Sequence, residues 1–161
     1  MKVSRRSVLR NKASAPRVLL DTSFILPTLG IDVGGEILEG LRRLVEVKAE
    51  IYYSPLSILE ALWVAARLCK NAAFDEDRFK LGLKSILESG RYVKIPEKTE
   101  VFNEALRLRM LGYMDMIDNI LYASSVTFNL KFLSLDTELK RFIHDRKLKN
   151  TLISPTEISS L

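Results

Sequence analysis

Short apolar runs that stop at a polar turn, each followed by apolar residues at helical spacing, constrain this chain more than any other feature. Val18-Leu19-Leu20 stops at Asp21-Thr22-Ser23, Ile51-Tyr52-Tyr53 at Ser54-Pro55, Tyr92-Val93-Lys94-Ile95 at Pro96, and Lys131-Phe132-Leu133-Ser134-Leu135 at Asp136. Thr151-Leu152-Ile153, before Pro155, is a last short run of the same kind. Between them lie helical patterns. Ile37, Leu38, Leu41, Leu44 and Val45 follow the Gly34-Gly35 break, and Pro55 opens a helix to about Lys70, proline being suited to a first helical position. Asp75 to Ser89 predicts a helix with Phe79, Leu83, Ile86 and Leu87 inward, closed by Gly90. Glu97 to Leu111 predicts another with Val101, Ala105 and Leu108 on its core side, and Asp115 to Phe128 and residues 137–145 predict two more. Strands alternating with helices imply βαβ units, and right-handed crossovers make these a mostly parallel sheet covered by helices, an α/β fold. Ligands of such sheets bind beyond the carboxyl ends of the strands, where Asp21 and Asp136 fall.

The length, 161 residues, suits one domain with a sizeable core, and 47% apolar with 28% charged residues is the composition of a soluble globular protein. No stretch reaches the ~20 apolar residues of a membrane helix, so no membrane association is expected. Cys69 is the only cysteine. It excludes an internal disulfide and, among Leu62, Ala66 and Leu68, reads as a small core residue in a reducing compartment. His144 is the only histidine and lies in the charged run His144-Asp145-Arg146-Lys147, which argues against a histidine zinc site or a Ser-His-Asp hydrolase.

The net charge of +5 is concentrated at the start of the chain. Residues 1–17 hold Lys2, Arg5, Arg6, Arg10, Lys12 and Arg17 and no acid, which leaves 19 of the 25 basic residues against all 20 acidic ones. Residues 1–16 therefore read as a basic, flexible extension and residues 17–161 as the folded domain. Arg5, Arg6, Arg10 and Lys12 are candidates for weak, salt-sensitive contact with RNA phosphates; a solubilising leader or an upstream start codon is the other reading. Ser4-Arg5-Arg6-Ser7-Val8-Leu9-Arg10 has the look of a twin-arginine export signal, but only Asn11 and Lys12 separate it from Ala13-Ser14-Ala15, where an apolar segment is required. Export is rejected and a cytoplasmic protein expected.

Four acids stand against apolar or structurally special backgrounds. Asp21 and Asp136 each follow a strand and share one edge of a parallel sheet, although an aspartate there can equally cap the next helix. Glu60 sits in a helix apolar nearly all round (Leu56, Ile58, Leu59, Leu62, Trp63, Val64, Ala65, Ala66, Leu68, Cys69), which predicts a buried helix and a carboxylate in need of a partner. An ion pair with Arg67 is one solution. Asp115 and Asp118, at i and i+3, share a face with Asn119, Tyr122 and Ser125, a stripe that taken alone reads as solvated surface. Two like charges 4 Å apart repel by about 4 kcal/mol at an effective dielectric near 20, so four gathered carboxylates call for a cation. Hard divalent ions are the cations that prefer carboxylate oxygens.

At these residues the chain resembles the PIN-domain ribonucleases, the family that includes the toxins of VapBC toxin–antitoxin pairs. The resemblance runs from about Arg17 to Ser154. It rests on the order of Val18-Leu19-Leu20-Asp21-Thr22-Ser23, Ser54-Pro55-Leu56-Ser57-Ile58-Leu59-Glu60, Ile117-Asp118-Asn119-Ile120-Leu121-Tyr122-Ala123 and Phe132-Leu133-Ser134-Leu135-Asp136. It implies a three-layer α/β/α sandwich and a metal-dependent endoribonuclease. Asp21, Glu60, Asp118 and Asp136 would hold Mg²⁺ or Mn²⁺ and carry catalysis, with Ser23 an accessory group. Ser134 stands where the family often has threonine, Asn119 where it commonly has alanine, and Asp115 could assist or replace Asp118. The resemblance further implies an RNA substrate, a homodimer and, for a toxin, an antitoxin partner. The alternative is a PIN-fold module with little turnover that binds RNA or a protein.

Overall fold

The computed structural model describes residues 14–70, 72 and 74–161. Arg5, Arg6, Arg10 and Lys12, and with them most of the extension 1–16, lie outside the described residues. Five strands form one sheet: β1 (Arg17–Leu20), β2 (Glu50–Tyr53), β3 (Tyr92–Lys94), β4 (Lys131–Leu133) and β5 (Leu152–Ile153). Their order is β3-β2-β1-β4-β5, and every neighbouring pair is parallel. The sheet is thus wholly parallel among the described residues, where the sequence predicts a mostly parallel one. From central β1 the chain pairs outward on one side through β2 and β3, then crosses to the other side for β4 and β5. This reversal opens a crevice at the carboxyl ends of β1 and β4.

Period-two alternation divides the sheet between two cores. Val18, Leu20 and Leu133 face one cluster with Phe24, Leu44, Ala61, Phe79 and Ile86. Leu19 and Phe132 face the other with Val101, Leu108, Leu121, Leu139 and Ile143. The first face is therefore covered by α1 (Thr22–Ile25), α2 (Gly35–Glu46), α3 (Pro55–Leu68), α4 (Glu76–Glu88) and a 3₁₀ turn (Pro155–Ser160), and the second by α5 (Thr99–Met110), α6 (Met116–Thr127) and α7 (Thr137–Asp145). This is the α/β/α sandwich the resemblance implies. Gly82 lets α4 dock closely: a Cβ there would lie 2.0 Å from the Thr28 carbonyl oxygen.

Two helices exchange the environments expected of them. The apolar α3 buries only Ser57, Ala61 and Ala65 deeply, and leaves Leu59, Leu62 and Trp63 at 41%, 43% and 54% exposure. Cys69, at its end, is exposed rather than in the core. Of the polar stripe on α6, Asp115 stays exposed and Asp118 half-buried, but every residue from Asn119 to Ser125 is inside. Small polar groups allow this because each finds a local partner. Ser124 Oγ donates to the Ile120 carbonyl, Ser125 Oγ donates to the Tyr122 carbonyl and meets Thr151 Oγ1, and Tyr122 Oη donates to the Lys149 carbonyl. Leu87, expected inward on α4, is 51% exposed, while Phe79, Gly82 and Ile86 are the buried residues of that helix.

Candidate metal centre

Asp21 extends the β1 ladder by one bond, its N–H donating to the Leu133 carbonyl at 3.0 Å. That bond sets it beside the end of β4. Although it occupies the N-cap position of α1, its side chain makes no capping hydrogen bond. Capping therefore does not account for the aspartate. The carboxylate Oδ2 instead accepts the Ser134 hydroxyl at 2.8 Å, and Ser134 Oγ in turn accepts the Asp136 N–H at 3.1 Å. One serine thereby ties the acids of two adjacent strands together.

Asp136 does cap its helix: Oδ1 accepts the N–H groups of Glu138 and Leu139 at 2.8 and 2.9 Å. Its Oδ2 is left for another donor and takes the hydroxyl of Tyr113 at 2.7 Å. The same hydroxyl lies 3.3 Å from Asp118 Oδ2. Asp115 is likewise an N-cap, of α6: its Oδ1 accepts the N–H groups of Ile117 and Asp118 at 2.9 and 3.1 Å. Gly112, Tyr113, Asp115, Asp118, Asp136 and Glu138 line an open cavity of about 530 Å³. Neither Asp21 nor Glu60 is among these lining residues, and Glu60, half-buried on α3, acts on Asp21 through its charge. It forms no ion pair with Arg67.

The electrostatics of the cluster follow from this crowding. Burial pushes the Asp21 carboxyl up to about 6, only partly offset by the Ser134 hydroxyl, and the charges of Glu60 and Asp136 push the same way. Burial, then the charges of Asp21, Asp115 and Asp136, pushes Asp118 up to about 8. For Asp136 burial acts upward, but hydrogen bonds from Leu139, Tyr113 and Glu138 outweigh it and hold the carboxyl below the usual range. Tyr113 is raised by burial and by its acidic partners, so its hydroxyl stays protonated and donates.

Whether these residues suit a divalent cation can be judged from their surroundings. Among the described residues none of Asp21, Glu60, Asp118 or Asp136 has a lysine or arginine in ion-pair contact. The hydroxyl of Ser23, two residues after Asp21, is buried with no hydrogen-bond partner. Uncompensated carboxylates and a spare buried oxygen form a donor set of the hard-cation type. Among the described residues, however, no three such side chains are already drawn into a closed coordination shell. The donor chemistry suits a hard divalent cation that keeps part of its water. Of the residues in this pocket, Tyr113 escapes sequence reasoning. Its only signal is its place five residues before Asp118, and nothing in that spacing shows which way a turn residue faces.

The PIN domain profile matches residues 18–144. No curated protein matches this chain in sequence. Solved structures with the same fold include PAE2754 from Pyrobaculum aerophilum (16% identity, 98% of this chain and 97% of that one, TM-score 0.61). Two others are a toxin–antitoxin complex from Klebsiella pneumoniae (13%, 86% and 97%, 0.55) and VapBC2 from Rickettsia felis bound to a DNA fragment from their promoter (14%, 78% and 92%, 0.56). At such identities the likeness concerns fold alone. It is the profile match across most of the chain, on a sheet whose β1 and β4 end at Asp21 and Asp136, that makes this chain a member of the PIN-domain family.

Proposed function

We propose that this protein is a metal-dependent endoribonuclease that hydrolyses RNA phosphodiester bonds in the cytoplasm, with Asp21, Glu60, Asp118 and Asp136 holding Mg²⁺ or Mn²⁺. The observation that carries the reading is the field the four acids share without a basic partner: Asp21 responds to Glu60 and Asp136, and Asp118 to Asp21 and Asp136. A divalent ion held by these acids would offset negative charge on a phosphodiester oxygen and make water a better nucleophile. The chain's own groups keep the acids in place. Ser134 locks Asp21 to Asp136, and the first turn of α7 fixes Asp136 Oδ1. Lys140, in an adjoining cavity of about 230 Å³ that also takes in Ser134 and Asp136, is placed to receive a phosphate. Arg5, Arg6, Arg10 and Lys12 would add contacts along the RNA backbone. The test is cleavage of a structured RNA by purified protein: products ending in 5′-phosphate and 3′-hydroxyl with Mg²⁺ or Mn²⁺, and none with EDTA. RNA binding without cleavage at every metal concentration would favour the binding-module alternative.

The reading extends to partners. The Klebsiella and Rickettsia structures contain toxin–antitoxin assemblies, which supports the toxin of such a pair, with an antitoxin protein as its partner. A homodimer is supported by two exposed apolar stripes, Leu59, Leu62 and Trp63 on α3 and Phe102, Leu106 and Met110 on α5. A small pocket is lined by Pro55 and Leu56 of α3 and by Val101 and Phe102 of α5. Trp63→Asp should weaken the dimer by at least about 30-fold, the cost of losing an aromatic anchor of 2 kcal/mol or more. Light scattering at micromolar concentration reads this as a fall from twice the chain mass to once. A monomeric wild type removes the assignment.

A further inference from the structure

Tyr113 is held more firmly than a surface turn requires. It lies between α5 and α6, after Gly112, whose φ of 113° is one that residues with a side chain rarely adopt. The Tyr113 N–H donates to the Leu108 carbonyl at 3.2 Å, and its ring packs on Phe142 with centroids 5.2 Å apart. A third tether comes from Asn119, which is fully buried and donates through Nδ2 to the Tyr113 carbonyl at 2.9 Å. Its Oδ1 is left without a partner among the described residues. A buried amide with an unsatisfied acceptor costs stability. The bond to Tyr113 is what the asparagine contributes, at a position where PIN domains commonly have alanine.

The three tethers aim one hydroxyl. It donates to Asp136 Oδ2 at 2.7 Å with Asp118 Oδ2 at 3.3 Å. A carboxylate has about four acceptor positions. Two on Asp136 Oδ1 are filled by the Glu138 and Leu139 N–H groups, and Tyr113 fills a third on Oδ2, so a single position remains. The hydroxyl decides which way that position points. We propose that Tyr113, anchored by Asn119, is a positioning residue that orients Asp136 and Asp118 toward a divalent cation. The inference rests on the metal-dependent reading above. Hydrogen-bond partners of metal-binding carboxylates act in this way, and losing one typically weakens binding 10–100-fold.

The probe is Mn²⁺ alone, titrated calorimetrically into the metal-free full chain without RNA. Tyr113→Phe keeps the ring on Phe142 and removes only the hydroxyl. Its Kd for Mn²⁺ should rise about 10-fold while the thermal midpoint in metal-free buffer moves little. Asn119→Ala should weaken Mn²⁺ binding in the same direction, yet add little once Tyr113→Phe is present, because it acts through the tyrosine. In RNA cleavage, Tyr113→Phe should lower kcat at limiting Mn²⁺, leave KM for RNA unchanged and recover at excess Mn²⁺. Unaltered Mn²⁺ affinity in Tyr113→Phe, with wild type binding the ion, overturns the positioning role and leaves the metal-dependent reading standing. A wild type that takes up no Mn²⁺ overturns both.

Discussion

Asp21→Asn is expected to cut RNA-cleaving activity by on the order of a thousandfold or more while making the metal-free protein more stable. The loss follows from the chemistry. Metal-assisted charge stabilisation is worth several kcal/mol, and each 1.36 kcal/mol is tenfold in rate. The gain follows from burial. Asp21 carries its charge at a cost because burial pushes its carboxyl up to about 6 from an ordinary 3.8, which corresponds to roughly 3 kcal/mol. Asparagine keeps the shape and an oxygen acceptor for the Ser134 hydroxyl without the charge. Denaturant unfolding at pH 8 with EDTA, set beside single-turnover cleavage in Mn²⁺, reads both effects. A variant that cleaves RNA normally, or that is destabilised by several kcal/mol, contradicts a functional role for this acid.

The second large effect is a stability that falls as pH rises, the reverse of ordinary acid denaturation. A carboxyl whose pKa is raised by folding binds more protons in the folded than in the unfolded chain, and the slope of stability against pH is then negative. For Asp21 the window runs from about 4 to about 6, and for Asp118 it continues to about 8. Asp136, held low, acts oppositely, and its contribution is lost only as pH falls below the ordinary carboxylate range. Metal-free protein should therefore be several kcal/mol more stable near pH 5 than near pH 8.5. Adding Mn²⁺ at the higher pH should recover about 2.7 kcal/mol at a hundredfold excess over Kd. Scanning calorimetry with and without EDTA checks this. A flat profile between pH 5 and 8.5 would mean that the cluster is better solvated than its burial implies.

The strand ends were readable because they are local. A run such as Val18-Leu19-Leu20 needs no tertiary information to stop at Asp21, and the same holds for β4 before Asp136. What could not be read was which helix the fold would cover. Both α3 and α6 have an apolar majority, and periodicity measures hydrophobicity without knowing how many layers lie outside. Asn119, Ser124 and Ser125 count as polar in any such pattern, yet each finds a partner within one turn or on a neighbouring segment. Trp63 counts as core, yet among the described residues no helix covers it. The accessory groups divide along the same line. Ser134, two residues from Asp136, was visible in the motif, whereas Tyr113 reaches Asp136 across 23 residues and a turn.

The bond between Ser134 and Asp21 closes a loop of 113 residues. Contacts so distant along the chain form late, after the entropy of closing the intervening segment has been overcome. During synthesis, the first half of the chain emerges carrying Asp21 and Glu60 but neither Asp118 nor Asp136, and β1 waits without its neighbour β4. On the function proposed above, a nuclease made on a machine built of RNA would therefore stay blunt while it is being translated, its edge ground only when the last long segment has been released and folded back.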